Sequence, residues 1–428
     1  MSDAAPTKVL HVVRPAAGGL REHVIDLCAR LAQHGRDVMV AGALPPDFRH
    51  RLTSAGVRWA NVGFPHSLQL GPNRAAVRTF SRLFTSQQPD LVHAHGYHAA
   101  LVCGLAAKRA TPRPPFVFTA HTLPFGVRRP LLRRIGEWLA YRHAIARADR
   151  IITVSDAVGQ ALARISRRAA GKCVTVHNGI DASVFRASTD YDVEKEELGL
   201  HPSAVVVGVV ARLSHEKGVD VFICAAELIS EHVPNIEFLI VGDGPERERL
   251  QALAHTHHVL GNTVFTGARL DIPAVLSVVD VLAIPSRSEA FSLAALEGLS
   301  AGLPIVAARV GGIPEVLEGA PNAFLVPPED ARALAQQIMT VLSELPTDEE
   351  EAAGKPSDIL IGPDGQPVRM LVSQRSYELT DEADWDREAA AGPETDTRPG
   401  LAYVEKHFGL DAMVRKTEAV YDGVLRAG

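Results

Sequence analysis

Short apolar runs, each ending at a glycine, proline or histidine and passing into helical periodicity, recur through this chain in two successive sets. In the first half they are Lys8 to Arg14 (KVLHVVR), Asp37 to Ala41, Leu91 to His95, Phe116 to Thr122, Arg150 to Asp156 and Lys172 to His177. Asn178-Gly179-Ile-Asp181 is a turn signal that closes the set. From Ser203 the pattern restarts with Ala204 to Val210 (AVVVGVV), then Phe238 to Val241, Val264 to Gly267, Val281 to Pro285, Pro304 to Ala308 and Phe324 to Val326. Near-continuous apolar strands alternating with helices build parallel sheets covered on both faces. Two such sets predict an α/β protein of two Rossmann-like, doubly wound domains facing across a cleft.

Length agrees, because 428 residues exceed one ordinary domain. The net charge of −6 conceals an uneven distribution. Between Pro346 and Arg398 there are 14 Asp and Glu against 5 Lys and Arg, a local charge of −9, so the remainder is about +3. That acidic, Pro- and Gly-containing stretch reads as a flexible surface insert, with a hairpin around Asp364-Gly365. Cys28, Cys103, Cys173 and Cys224 lack paired spacing and read as buried thiols in a reducing compartment. The start of the chain has no apolar signal core and no later run spans a membrane, so a cytoplasmic protein is expected. A nucleic-acid partner is not expected.

The most informative stretch is Ser286-Arg-Ser-Glu289-Ala-Phe291-Ser292-Leu293-Ala-Ala-Leu-Glu297, which runs from a strand into a small-residue helix. Free backbone N–H groups near Phe291, Ser292 and Leu293 would sit at a helix start, where phosphate binds. Glu289 and Glu297 bracket that junction, and ionised carboxylates grip hydroxyl groups. Together these groups suit a sugar nucleotide. Upstream, Arg212 and Lys217 stand five apart in a strand-to-helix turn from which both can reach one anion. Gly18-Gly19 and Gly242-Asp-Gly244 are glycine turns at helix starts, but neither supplies the G-x-G-x-x-G of a dinucleotide site. His93 and His95 share one strand face, and with His98 they read as hydrogen-bonded structural groups rather than metal ligands. His121 closes a strand at the edge where ligands bind. His255, His257 and His258 read as a surface helix end, and Asp190-Tyr-Asp192 as solvated linker charge rather than a metal motif. From Val127 to Leu139, arginines interleave with an apolar stripe at helical spacing. The expectation is a core-facing helix with a solvated face; the alternative is a patch touching anionic lipid or a phosphate-bearing acceptor.

The set Gly18-Gly19, His121, Arg212 with Lys217, Gly242-Asp-Gly244-Pro245, Glu289 with Glu297, and Gly311-Gly312-Ile-Pro-Glu315 resembles the retaining GT-B glycosyltransferases of family 4, also called glycosyltransferase group 1. The resemblance spans nearly all of the chain outside 346–398. It implies a metal-independent transferase that moves a sugar, from a UDP-sugar by preference, to a polysaccharide, glycolipid or small-molecule acceptor, with no cofactor. Glu297 matches the glutamate that holds the ribose hydroxyls, and Glu289 the one that contacts the donor sugar. N–H groups of Phe291, Ser292 and Leu293 would meet the sugar and distal phosphate. Arg212 and Lys217 would neutralise the diphosphate leaving group, and His121 would face the reacting centre. Gly19 and Gly242 fall on the donor side; Gly18, His95, Tyr97 and Thr122 on the acceptor side. Ser292 stands where the family commonly has glycine.

The implied domains are an acceptor-side domain over 1–182, completed by a helix from about 410 to 428, a linker over 183–202, and a donor domain over 203–345. The insert follows at 346–398, then terminal helices at 399–428 that cross back. A catalytically idle sugar-nucleotide binder and a GT-B sugar-nucleotide epimerase are the alternatives. Peripheral attachment at the inner membrane face would follow if Arg128 to Arg134 met lipid.

Overall fold

The computed structural model of the chain describes residues 6–14, 18–64, 70–124, 131–185, 191–345, 360–361, 367–368 and 398–427. Seven strands form the first sheet: β1 (Lys8–Val13), β2 (Asp37–Gly42), β3 (Arg58–Asn61), β4 (Leu91–His95), β5 (Phe116–Ala120), β6 (Arg150–Thr153) and β7 (Cys173–Thr175). They lie in the order β3-β2-β1-β4-β5-β6-β7 and every pairing is parallel. The second sheet holds β8 (Val205–Val210), β9 (Ile236–Val241), β10 (Thr263–Gly267), β11 (Val281–Ile284), β12 (Ile305–Ala308) and β13 (Ala323–Val326). Its order is β10-β9-β8-β11-β12-β13, again all parallel. The expected pair of doubly wound sheets is therefore present. Where the order reverses, between β1 and β4 and between β8 and β11, adjacent connections leave on opposite faces and open a crevice at the carboxyl edge.

Burial explains the strand composition. Every residue of β4, β5, β11 and β12 is buried, so these runs carry no alternating polar face. β3 is the exception: an edge strand, Arg-Trp-Ala-Asn, with no buried residue, which periodicity does not reveal. The helices Pro46–Ser54 and Leu70–Gln87 flank it in sequence and add to the same domain. Within the segment expected as a linker lie a 3-10 turn, Ala182–Phe185, and a helix, Tyr191–Leu198. Leu360–Ile361 pairs antiparallel with Pro367–Val368, at the place expected for the insert's hairpin; the rest of 346–397 lies outside the described residues.

The chain crosses between the two sheets twice at one point. Ile180 N–H donates to Phe408 O at 3.1 Å, and Leu410 N–H donates to Ile180 O at 3.0 Å. A Cβ on Gly179 would lie 2.7 Å from Gly409 O, so only glycine lets the strands pass this closely. Before the crossing, the helix Pro399–Phe408 packs against Leu293–Ser300 of the second domain. A Cβ on Gly400 would sit 2.2 Å from Leu299 O. After it, the helix Leu410–Ala427 buries Met413, Val414 and Tyr421 with Val9, Leu27 and Val38 of the first domain. Burying each such side chain stabilises the fold by roughly 1.5–3 kcal/mol.

One expectation is overturned. The helix Leu131–Arg147 does turn Ala140, Tyr141, Ala144 and Ile145 into the core, but the apolar stripe at its start faces outward. Leu131 is 69% and Leu132 84% exposed, and Ile135, Trp138 and Leu139 share that outward face. Helical spacing defines a stripe; it does not say which stripe meets the core. Arg134 is also exposed and the Arg142 guanidinium lies over the Trp138 ring, whereas Arg128 and Arg129 fall outside the described residues.

Candidate functional site

The second domain's wall is built at the β8/β11 reversal. β8 ends in a turn that carries Arg212 and then a short 3-10 turn, His215–Lys217. Gly218 follows with φ 65°, and a Cβ there would lie 2.0 Å from Pro285 O. This glycine lets the Lys217 turn lie directly on the loop after β11. Two backbone bonds fasten the contact, from Arg287 N–H to Glu216 O at 2.8 Å and from Ser288 N–H to the same oxygen at 3.3 Å. Gly242 does comparable work from β9, since its Cβ would meet Ala211 O at 1.9 Å. Expected as a donor-binding loop, Gly242 also has a packing reason: it braces the turn that presents Arg212.

The charges on this wall are arranged unequally. Lys217 Nζ pairs with Glu289 Oε2, joining residues 72 apart in sequence, and Ser286 Oγ reaches the same oxygen at 3.5 Å. Arg212 is exposed, and among the described residues its guanidinium has no ion-pair partner. Arg287, which sequence reasoning passed over, binds Asp220 through two bonds of 2.6 and 3.1 Å and Glu329 at 2.8 Å. Burial works against the Asp220 charge, but the hydrogen bonds and charges of Arg287 and Arg249 together outweigh it and hold the carboxyl below its usual range. Arg287 thereby ties the loop of Glu289 to the helix behind Lys217.

The helix Leu293–Ser300 begins at this wall. Its N-cap is Ser292, whose Oγ accepts from Ala295 N–H at 3.2 Å. The Ser292 hydroxyl therefore has a structural task as acceptor at this helix start. The first-turn N–H groups of Leu293 and Ala294 have no partner from within the helix. Glu297 lies one turn on, and burial raises its carboxyl to about 7, with Glu22 of the first domain adding repulsion across the cleft. Gly311 and Gly312 support the loop from behind. Their Cβ atoms would meet Glu289 O at 1.9 Å and Ala290 O at 2.2 Å.

The first domain's wall lies at the β1/β4 reversal. Gly18 caps the helix Gly19–Gln33 with φ 63°, and a Cβ on Gly19 would come within 2.8 Å of Leu293 Cδ1. Residues 274 positions apart thus meet across the cleft. His95 ends β4, Tyr97 opens the helix Tyr97–Ala107, and His121 and Thr122 follow β5. Tyr97 stacks on Tyr141 with centroids 4.7 Å apart, and Thr122 Oγ1 lies 3.3 Å from Tyr141 OH.

Behind them is a cluster of imidazoles. His95 lies 3.1 Å from His121 through Nδ1 and Nε2, and 3.0 Å from His11 through Nε2 and Nδ1. His93 is satisfied at both nitrogens, by Tyr421 OH at 2.6 Å and Thr119 Oγ1 at 2.7 Å, as expected of a structural histidine. Burial lowers His93, His95 and His121 well below the ordinary histidine value, so these imidazoles are neutral at pH 7. His11 and His23 escaped sequence reasoning, although His11 registers directly against His93 once the strands are paired.

Glu315 joins the walls. Its carboxylate accepts from Asp156 N–H at 2.7 Å and Ala157 N–H at 2.8 Å, at the start of the helix Asp156–Ile165, and lies 3.0 Å from His177 Nε2. Burial opposes the charge, but His177 and the two backbone donors outweigh it and lower the carboxyl. His177, Phe291 and Phe408 pack their rings together beside it.

Two family models divide the chain as its sheets do: Glycosyltransferase Family 4 matches residues 17–184 and Glycosyl transferases group 1 matches residues 190–355. The D-inositol 3-phosphate glycosyltransferase of Mycobacterium marinum is 30% identical over 353 residues, covering 75% of this chain and 72% of that protein. The chain belongs to the group 1 glycosyltransferases. The 2-deoxystreptamine N-acetyl-D-glucosaminyltransferase of Streptomyces fradiae is 29% identical over 370 residues, covering 81% of this glycosyltransferase and 87% of its own length. An Anabaena protein crystallised with UDP and glucose superposes with a TM-score of 0.73 at 20% identity, over 97% of this chain and 99% of that one. The architecture is GT-B, and the activity is glycosyl transfer. No helix among the described residues is long and apolar enough to cross a membrane.

Proposed function

We propose that this glycosyltransferase takes its sugar from a UDP-sugar and delivers it, with retention of anomeric configuration, to a hydroxyl of a polyhydroxylated ring such as a cyclitol. The observation that carries the donor reading is the convergence of Arg212, the Lys217–Glu289 pair, the start of the helix Leu293–Ser300 and Glu297 on one wall. Arg212 and Lys217 neutralise the diphosphate as it departs, without a metal. Glu289 holds Lys217 and accepts from the donor sugar's hydroxyls, while Glu297 accepts from the ribose. The acceptor oxygen attacks C1 as the C1–O bond to phosphate breaks, and its proton passes to the departing phosphate oxygen on the same face. His121 lines that reaction space, with Gly18, His95, Tyr97 and Thr122 on the acceptor side. The UDP-bound Anabaena neighbour supports the base, and the inositol-phosphate and 2-deoxystreptamine enzymes support the acceptor class.

A panel of UDP-, GDP- and ADP-sugars, assayed for nucleoside diphosphate release with and without cyclitol acceptors, tests the reading. Acceptor-dependent UDP release that survives EDTA is expected, and Lys217→Ala and Glu297→Ala should each lower it at least about 100-fold. Donor binding without release would indicate an idle binder, and donor conversion without acceptor an epimerase.

The raised Glu297 carboxyl adds a pH signature. Above pH 7 the ionised form accepts from hydroxyls; below it the proton must first be removed. Donor affinity should therefore be about tenfold weaker at pH 6 than at pH 8. Glu297→Gln should flatten the dependence. A flat profile in the unmodified protein would exclude this role.

Peripheral contact with anionic lipid at the inner membrane face is a second reading, favoured by the outward apolar stripe of Leu131, Leu132, Ile135, Trp138 and Leu139. Flotation with phosphatidylglycerol vesicles should carry the protein, and Leu131→Glu/Leu132→Glu should abolish it. Recovery of the unmodified protein entirely unbound would dismiss the contact.

A further inference from the structure

Three imidazoles from three different elements meet at the carboxyl edge of the first sheet. His23 comes from the helix Gly19–Gln33, His95 from the end of β4 and His121 from the residue after β5. One ring nitrogen of each lies within 4.8 Å of the others. His95 Nδ1 and His121 Nε2 are already 3.1 Å apart, whereas two nitrogens on one tetrahedral zinc ion stand roughly 3.3 Å apart. The His23 ring meets the His121 ring edge-on with centroids 4.8 Å apart.

A second observation is independent of this convergence. His23 is only 7% exposed, and its Nδ1 has no hydrogen-bond partner. A buried polar atom left unpaired is unfavourable, and coordination of an ion through Nδ1 would remove that penalty. Tautomers fit as well. For His95 to offer its Nδ1 lone pair, its proton must sit on Nε2, which lies 3.0 Å from His11 Nδ1. His11 is thus an outer acceptor that fixes the ligand's tautomer. His11, His93 and His95 form a second possible grouping, but His93 would first have to abandon Tyr421 and Thr119.

We infer that His23, His95 and His121 form a three-histidine site for a divalent transition metal of the zinc class, with the fourth position left to water or a ligand. His121, the least buried of the three, provides the approach from the cleft. The inference concerns binding and does not depend on the proposed transfer reaction, in which leaving-group charge is met by Arg212 and Lys217. An ion held here would occupy His121 and make the metal an inhibitor rather than a cofactor.

The test uses the full, tag-free chain, stripped with chelator and titrated with Co2+, then with Zn2+ in competition. One Co2+ per chain with the intense visible absorption of tetrahedral coordination, displaced by Zn2+, is expected. His23→Gln and His121→Gln should each weaken binding by at least about 100-fold, beyond the range typical of outer partners. The surface variant His255→Gln/His258→Gln should bind as the unmodified chain does. Melting curves identify any variant that fails to fold, and His121→Gln, the less buried change, keeps the test decisive if His23→Gln does. Absence of saturable tetrahedral absorption, or a signal unchanged in a folded His23→Gln or His121→Gln protein, would overturn the site.

Discussion

Everything in the cleft depends on reversals of strand order. Each sheet winds outward from a central pair, and at β1/β4 and β8/β11 consecutive connections leave on opposite faces. The carboxyl edge is therefore open at one place per sheet. Those places carry Gly18, Gly19, His95 and His121 on one side and Arg212, Lys217 and Glu289 on the other. Gly19 against Leu293 and Glu315 against the helix Asp156–Ile165 bring the two openings face to face.

The two walls differ in electrostatic character, and this fits a division of labour. Apart from the Glu22 carboxylate, the first carries neutral imidazoles, hydroxyls and a glycine turn, with histidines whose buried rings resist protonation. The second carries the ion pairs and an exposed cation. One cation, Lys217, is held by the Glu289 carboxylate, and the other, Arg212, is exposed. Arg287 and Asp220 tie the loop of Glu289 to the helix behind Lys217. The roles proposed for the residues put the charged leaving group on the second wall and the hydroxyl-bearing acceptor on the first.

Much of the fold was legible because buried parallel strands declare themselves as unbroken apolar runs. β3 did not, since an exposed edge strand has no such run. The stripe on the helix Leu131–Arg147 was read correctly as a stripe and wrongly as core, because periodicity carries no outward direction. At the site, residue types at strand ends identified Arg212, Lys217, Glu289, Glu297 and His121. What remained hidden were pairings set by topology: Lys217 with Glu289, Arg287 with Asp220, and Glu315 with a helix start 159 residues earlier. His11 and His23 are lone histidines in their local sequence, and only strand register and helix packing assemble them with His93, His95 and His121.

In the proposed function one nucleoside diphosphate lies across the β8/β11 opening, its charge on Arg212 and Lys217 and its ribose on Glu297. A crystal structure of the protein with UDP tests this directly. The diphosphate is expected within hydrogen-bond distance of the Arg212 guanidinium, the Lys217 ammonium and a first-turn N–H of the helix Leu293–Ser300, with both ribose hydroxyls on Glu297. UDP bound elsewhere, or bound here with its ribose turned away from Glu297, would contradict it.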